Sequence, residues 1–125
     1  GCIKLVLGKT LKMNKDLTIK QWCELCHATA KEKGFWDKER NVGEALMLVV
    51  TELAEAMEGY RHKDDANFRE ELADTFIRLF DLCGGMKIDI EAEIIKKAEK
   101  NKARPHMHGK ICEVLRSIIL SYGCF

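Results

Sequence analysis

The feature that most restricts this chain is a run of large apolar residues, Val42, Leu46, Val49, Leu53, Met57 and Tyr60, recurring every three or four positions. An α-helix collects such positions on one face, whereas a strand scatters them over both. The same period returns in Ile19, Trp22, Cys23, Cys26 and Ala30, and again in Leu72, Phe76, Leu79, Phe80 and Cys83. Weaker repeats follow in Ile90, Ile94 and Ala98, and in Val114, Leu115, Ile118 and Tyr122. No stretch alternates as a strand would, and there is one proline, Pro105. The expected fold class is all-α, a four- to five-helix bundle.

Punctuation between the repeats agrees. Thr18-x-x-Gln21 forms a capping box for a first helix ending near Gly34. Asn41, with Glu44 three residues on, opens the second helix, and the polar turn Arg61–Asp65 closes it. Gly84-Gly85 ends the third, and Asp89 caps a fourth that Pro105 stops. Residues 13–110 read as one helical domain. Residues 1–12 are expected to be a leader or an added extension, because Met13 resembles a natural start. Residues 111–125 read as a docking or oligomer-forming tail.

The net charge of +1 gives no general pull toward nucleic acid or anionic membrane, so neither is an expected partner. The apolar run in Gly1–Lys12 is too short for a membrane span or a normal signal segment. Six cysteines, Cys2, Cys23, Cys26, Cys83, Cys112 and Cys124, lie mostly on apolar helix faces. They read as reduced thiols of a cytoplasmic protein, and Cys23-x-x-Cys26, with no second pair, reads as packing.

Two carboxylate pairs carry the chemistry. Glu52/Glu55 and Glu71/Asp74 are each spaced i,i+3, so each pair offers its oxygens in one direction. Four carboxylates brought together repel strongly, and a divalent cation relieves the repulsion. Mg²⁺ prefers hard oxygen ligands and bridges to substrate phosphates. The plain alternative is that these acids belong to solvated faces, with Arg78 serving Asp74 as a surface partner four residues on. A third element weighs against it: Lys97, Asn101 and Arg104 follow i, i+4, i+7, with Lys100 alongside and Lys110 beyond. Such a face can hold phosphate oxygens, although basic residues at a helix end also simply complement its dipole.

Glu52-x-x-Glu55, fifteen intervening residues, Glu71-x-x-Asp74, then Lys97 with Lys100-Asn101-Lys102 and Arg104, resembles the MazG-like all-α nucleoside triphosphate pyrophosphohydrolases. The resemblance covers roughly residues 16–110, and EELADTFIRLFDL and KNKARPHMHGK are its most specific parts. It implies that Glu52, Glu55, Glu71 and Asp74 bind Mg²⁺, with Mn²⁺ as a substitute, and carry catalysis. It implies that Lys97, Asn101 and Arg104 contact substrate. The implied reaction cleaves a (d)NTP between its α and β phosphates to (d)NMP and pyrophosphate, which suggests housecleaning of non-standard nucleotides. Thr51 stands where many relatives carry the first Glu of a doublet.

Trp22, Phe35 and Trp36 can stack on a base, and Gln21 or Asn14 can read its edge; Trp36 is the aromatic assigned to substrate. His106-x-His108 near Cys112 reads as solvent- or phosphate-facing. A non-catalytic helical nucleotide-binding or regulatory module is the alternative function. A diiron carboxylate bundle lacks its Glu-x-x-His motif. The apolar girth of the second helix and the apolar tail lead to an expected homodimer or tetramer.

Overall fold

A computed structural model of the chain describes residues 16–105 and 116–121. Four helices run in order: α1 (Ile19–Glu32), α2 (Val42–Arg61), α3 (Asp65–Gly85) and α4 (Ile90–Lys102). Residues 116–121 are also helical, and no strand occurs among the described residues. The expected all-α class is therefore correct. The leader, Asn14, His106, His108, Lys110, and the tail outside residues 116–121 lie outside the described residues, as do Cys2, Cys112 and Cys124.

The helix starts follow from local chemistry. Thr18 and Gln21 close the capping box, with the Thr18 N–H donating to Gln21 Oε1 at 2.8 Å and the Gln21 N–H to Thr18 Oγ1 at 3.2 Å. Asn41 Oδ1 accepts from the Glu44 N–H at 3.0 Å to start α2, and Asp64 Oδ1 accepts from the Asn67 N–H at 3.1 Å to start α3. Each side chain satisfies a backbone donor that has no partner within the helix.

The chain forms two compact units, Gly1–Glu91 and Ala92–Phe125. In the first, α3 is the shared element, packed against both α1 and α2. The connection from α2 to α3 is only three residues long, which makes the two an antiparallel hairpin. In the second unit, the described residues of α4 are all exposed.

The inner face of α2 is not the face its large residues suggested. Ala45, Val49, Glu52, Ala56 and Gly59 are buried, while Val42, Leu46, Leu53, Met57 and Tyr60 are exposed, Tyr60 at 68%. Small residues win because α2 and α3 approach closely. A Cβ on Gly59 would stand 2.9 Å from the Phe68 backbone nitrogen, so any side chain there forces the backbone to shift. Gly84 plays the same part between α3 and α1, where a Cβ would meet the Cys23 carbonyl oxygen at 2.6 Å. Cys23, Cys26 and Cys83 are buried free thiols in that contact. Burial pushes Cys26 up to about 11, with Cys23 and Asp81 adding to it, which suits packing and not reactivity.

Candidate metal centre and adjoining cavity

Glu71, Asp74, Arg78 and Asp81 are spaced 3, 4 and 3 residues apart on α3, and therefore share one face. Across from them α2 presents Glu52 and Glu55. One oxygen from each of Glu52, Glu55 and Glu71 lies within 4.8 Å of the others. Two helices thus bring three of the four expected acids together. Asp74, the fourth, is not within that group; it lines the adjoining cavity beside Glu52 and Arg78.

The electrostatics of the cluster are uneven. Glu52 is buried and Arg78 Nε donates to its Oε1, a contact between helices in place of the Asp74 pairing read from spacing. Burial by itself raises the Glu52 carboxyl, but the Arg78 hydrogen bond and charge, with hydrogen bonds to Glu71 and Glu55, hold it below the ordinary value. Glu71 goes the other way. Loss of hydration, hydrogen bonding with Glu52 and the Glu55 charge push its carboxyl up to about 7. Below about pH 7 the protonated form of Glu71 is therefore favoured, which eases the repulsion among the three carboxyls.

The donor set fits a small hard cation. Oxygens bound to one octahedral ion at about 2.1 Å stand about 3.0 Å apart when adjacent and about 4.2 Å when opposite. The observed limit of 4.8 Å is within about an ångström of that range, and two or three carboxylates would leave positions for water or phosphate.

The cavity beside the cluster has a volume of about 480 Å³. Trp22, Leu25, Phe35 and Ile77 give it apolar walls, while Arg40 and Asp81 add polar groups. Asp81 was not singled out in the sequence, yet it is 7% exposed and well partnered. Trp36 Nε1–H donates to Asp81 Oδ1 at 2.8 Å, and His27 Nδ1 lies 3.0 Å from the same oxygen. Arg40 Nη1 stands 4.0 Å from Oδ2. The Arg40 guanidinium also lies 5.9 Å from the Phe35 ring centroid and 5.3 Å from that of Trp36. The signal for Asp81 was its register: seven residues after Asp74, on the face that carries the acids.

Trp36 does not line the cavity; it packs edge-on to His27 with centroids 4.8 Å apart and spends its N–H on Asp81. Phe35 and Trp22 are the aromatics at the cavity wall. Lys97 and Asn101 are exposed near the end of α4, and Arg104 follows with its N–H donating to the Asn101 carbonyl at 3.1 Å. These three belong to the second unit. No helix among the described residues is long and apolar enough to cross a membrane. No protein-family profile, curated protein or solved structure matches the chain.

Proposed function

We propose that the protein is an Mg²⁺-dependent nucleoside triphosphate pyrophosphohydrolase of the MazG-like kind. The observation that carries this reading is the convergence of Glu52, Glu55 and Glu71 beside an aromatic-walled cavity. Glu52, Glu55 and Glu71 would hold the ion. A bound divalent cation there neutralises phosphate charge and makes hydroxide available from water near neutral pH. Asp74 lies outside the triad and faces the cavity, so it is the carboxylate left to accept the proton of an attacking water. Phe35 and Trp22 offer ring faces to a base. For Lys97, Asn101 and Arg104, which belong to the second unit, a phosphate-contact role rests on the sequence resemblance alone.

Self-association belongs to the same proposal. Leu46, Val50, Leu53, Met57 and Tyr60 make an exposed seam along α2 at alternating four- and three-residue steps. That is the pattern of a helix awaiting an apolar partner, here a second copy in a dimer or tetramer. Light-scattering mass at micromolar concentration checks it, and an active monomer removes it.

A second reading draws on Arg78, which already neutralises Glu52: a helical nucleotide-binding or regulatory module that performs no chemistry. One experiment separates them. Purified protein with Mg²⁺ is incubated with a panel of (d)NTPs, including dCTP, dUTP and modified purines, and the products are resolved. Monophosphate plus pyrophosphate is expected. Diphosphate plus orthophosphate overturns the proposed bond, and inactivity across the panel with retained nucleotide binding favours the module.

A further inference from the structure

Among the described residues, Arg78 is the one cation in contact with the acid cluster, and Glu52 is its one hydrogen-bond partner. Arg78 also lines the cavity. Nε is committed to Glu52, and the fork carries four more N–H donors. The two members of the pair differ in freedom: the Arg78 side chain is 35% exposed, that of Glu52 only 9%. The arginine is the one able to move.

The charge arithmetic makes this position consequential. Even at the dielectric of water, a unit positive charge about 6 Å from a divalent ion weakens its binding about tenfold, and a half-buried setting increases the effect. A guanidinium held on Glu52 therefore opposes entry of the ion proposed above. It also offers a planar, multidentate group suited to phosphate oxygens. Asp74, one turn back on α3, lines the same cavity and, at i,i+4 spacing, is within reach of the Arg78 side chain.

We propose that Arg78 is the resident counter-cation of the acid cluster: it neutralises Glu52 until a divalent ion displaces it, then turns into the cavity to bind the phosphate arriving with that ion. Metal and phosphate binding are thereby linked through one side chain. This rests on the metal reading above. The competing role, a fixed holder that orients Glu52 for the ion, has the opposite sign, since loss of such a holder weakens metal binding.

The test is calorimetric titration of Mn²⁺ into the full chain without nucleotide. Arg78→Met is expected to bind Mn²⁺ at least about tenfold more tightly than wild type. With Mn²⁺ saturating, it is expected to bind inorganic pyrophosphate at least about tenfold less tightly. Unchanged or weaker Mn²⁺ binding overturns the proposal, and tighter Mn²⁺ with unchanged pyrophosphate overturns the turn into the cavity. Should Arg78→Met fail to fold, Arg78→Gln, smaller in change and also uncharged, is read by the same criteria. Mn²⁺ uptake by neither wild type nor variant overturns the metal reading itself, whereas equal uptake by both overturns only the role of Arg78.

Discussion

Two acidic centres adjoin the same cavity, one through Asp81 and one through Glu52, and they are neutralised in opposite ways. Asp81 is a single carboxylate supplied by an indole N–H, an imidazole and a guanidinium. Glu52, Glu55 and Glu71 are three carboxylates with one guanidinium among them, that of Arg78 on Glu52. The first has donors to spare and behaves as a fixed joint between α1, the following loop and α3. The second is short of positive charge, and a raised carboxyl at Glu71 is how the protein alone relieves it. Equal acidity in sequence thus hides a difference between a carboxylate with several donors and three carboxylates with one cation among them.

The strongest way to break this contrast is to neutralise the cluster. Glu52→Gln, Glu55→Gln and Glu71→Gln are each expected to lower turnover at least about 100-fold, because a catalytic ion contributes several kcal/mol. Mn²⁺ calorimetry should show the affinity falling with it, while circular dichroism stays helical. Asp74→Asn is expected to lose turnover but keep most Mn²⁺ affinity. Two of the three triad variants retaining wild-type turnover would show the cluster misassigned.

Asp81 should answer in stability. Asp81→Ala leaves Trp36 and His27 without their shared partner and Arg40 without its counter-charge, and is expected to cost about 3–5 kcal/mol, the usual penalty for breaking a buried charged pair. Urea unfolding measures it. A loss below about 1 kcal/mol would return Asp81 to the ordinary exposed-pair range.

A smaller effect is expected outside the triad. Lys97→Ala and Asn101→Ala should raise KM about tenfold, as for one charge-assisted hydrogen bond of about 1.5 kcal/mol, with Mn²⁺ affinity unchanged. Unaltered kinetics would assign both residues to the end of the α4 dipole.

The subtlest expectation is a pH slope. Glu71 titrates at about 7 in the folded chain against 4.5 ordinarily, so the folded state holds the extra proton between those values. Stability from this group is complete below 4.5 and is lost as pH rises through about 7. Glu52, shifted downward, contributes in the opposite sense: its stability is present above its ordinary value of 4.5 and lost only on acidification below it. In chelator, Tm should therefore fall as pH rises from 5 to about 7.5, and Glu71→Gln should flatten the fall. Added Mn²⁺ should offset it by binding the folded state. A Tm that climbs steadily over this window in chelator would contradict the assignment.

The first two helix starts were legible because caps act through two or three neighbouring residues: Thr18 and Asn41 both accept where their spacing indicates, while the Asp64 cap was hidden inside a polar turn. The orientation of α2 was not. Apolar size marks a stripe, but a close helix contact selects Ala45, Ala56 and Gly59, and the larger side chains are turned outward. The acid pairs were readable as helix geometry, and three of their four members do converge. Arg78 was misplaced on Asp74 because an i,i+4 partner is always available in sequence, whereas Glu52 is brought near only by helix packing. Trp36 was assigned to substrate on its chemistry alone, and that chemistry is used on Asp81.

Gly59 lies one turn from Glu55 on α2, and Phe68, the residue it admits so closely, lies one turn from Glu71 on α3. A Cβ at position 59 would be 2.9 Å from the Phe68 nitrogen, where ordinary contacts begin at 3.4 Å, so alanine there must part the helices by a fraction of an ångström. The gap between the acids widens with them. Mg²⁺ demands oxygens near 2.1 Å, whereas Ca²⁺ accepts about 2.3–2.6 Å with looser geometry. On the metal reading, the missing methyl group of one glycine acts as a calliper that sets which ion radius the cage will accept.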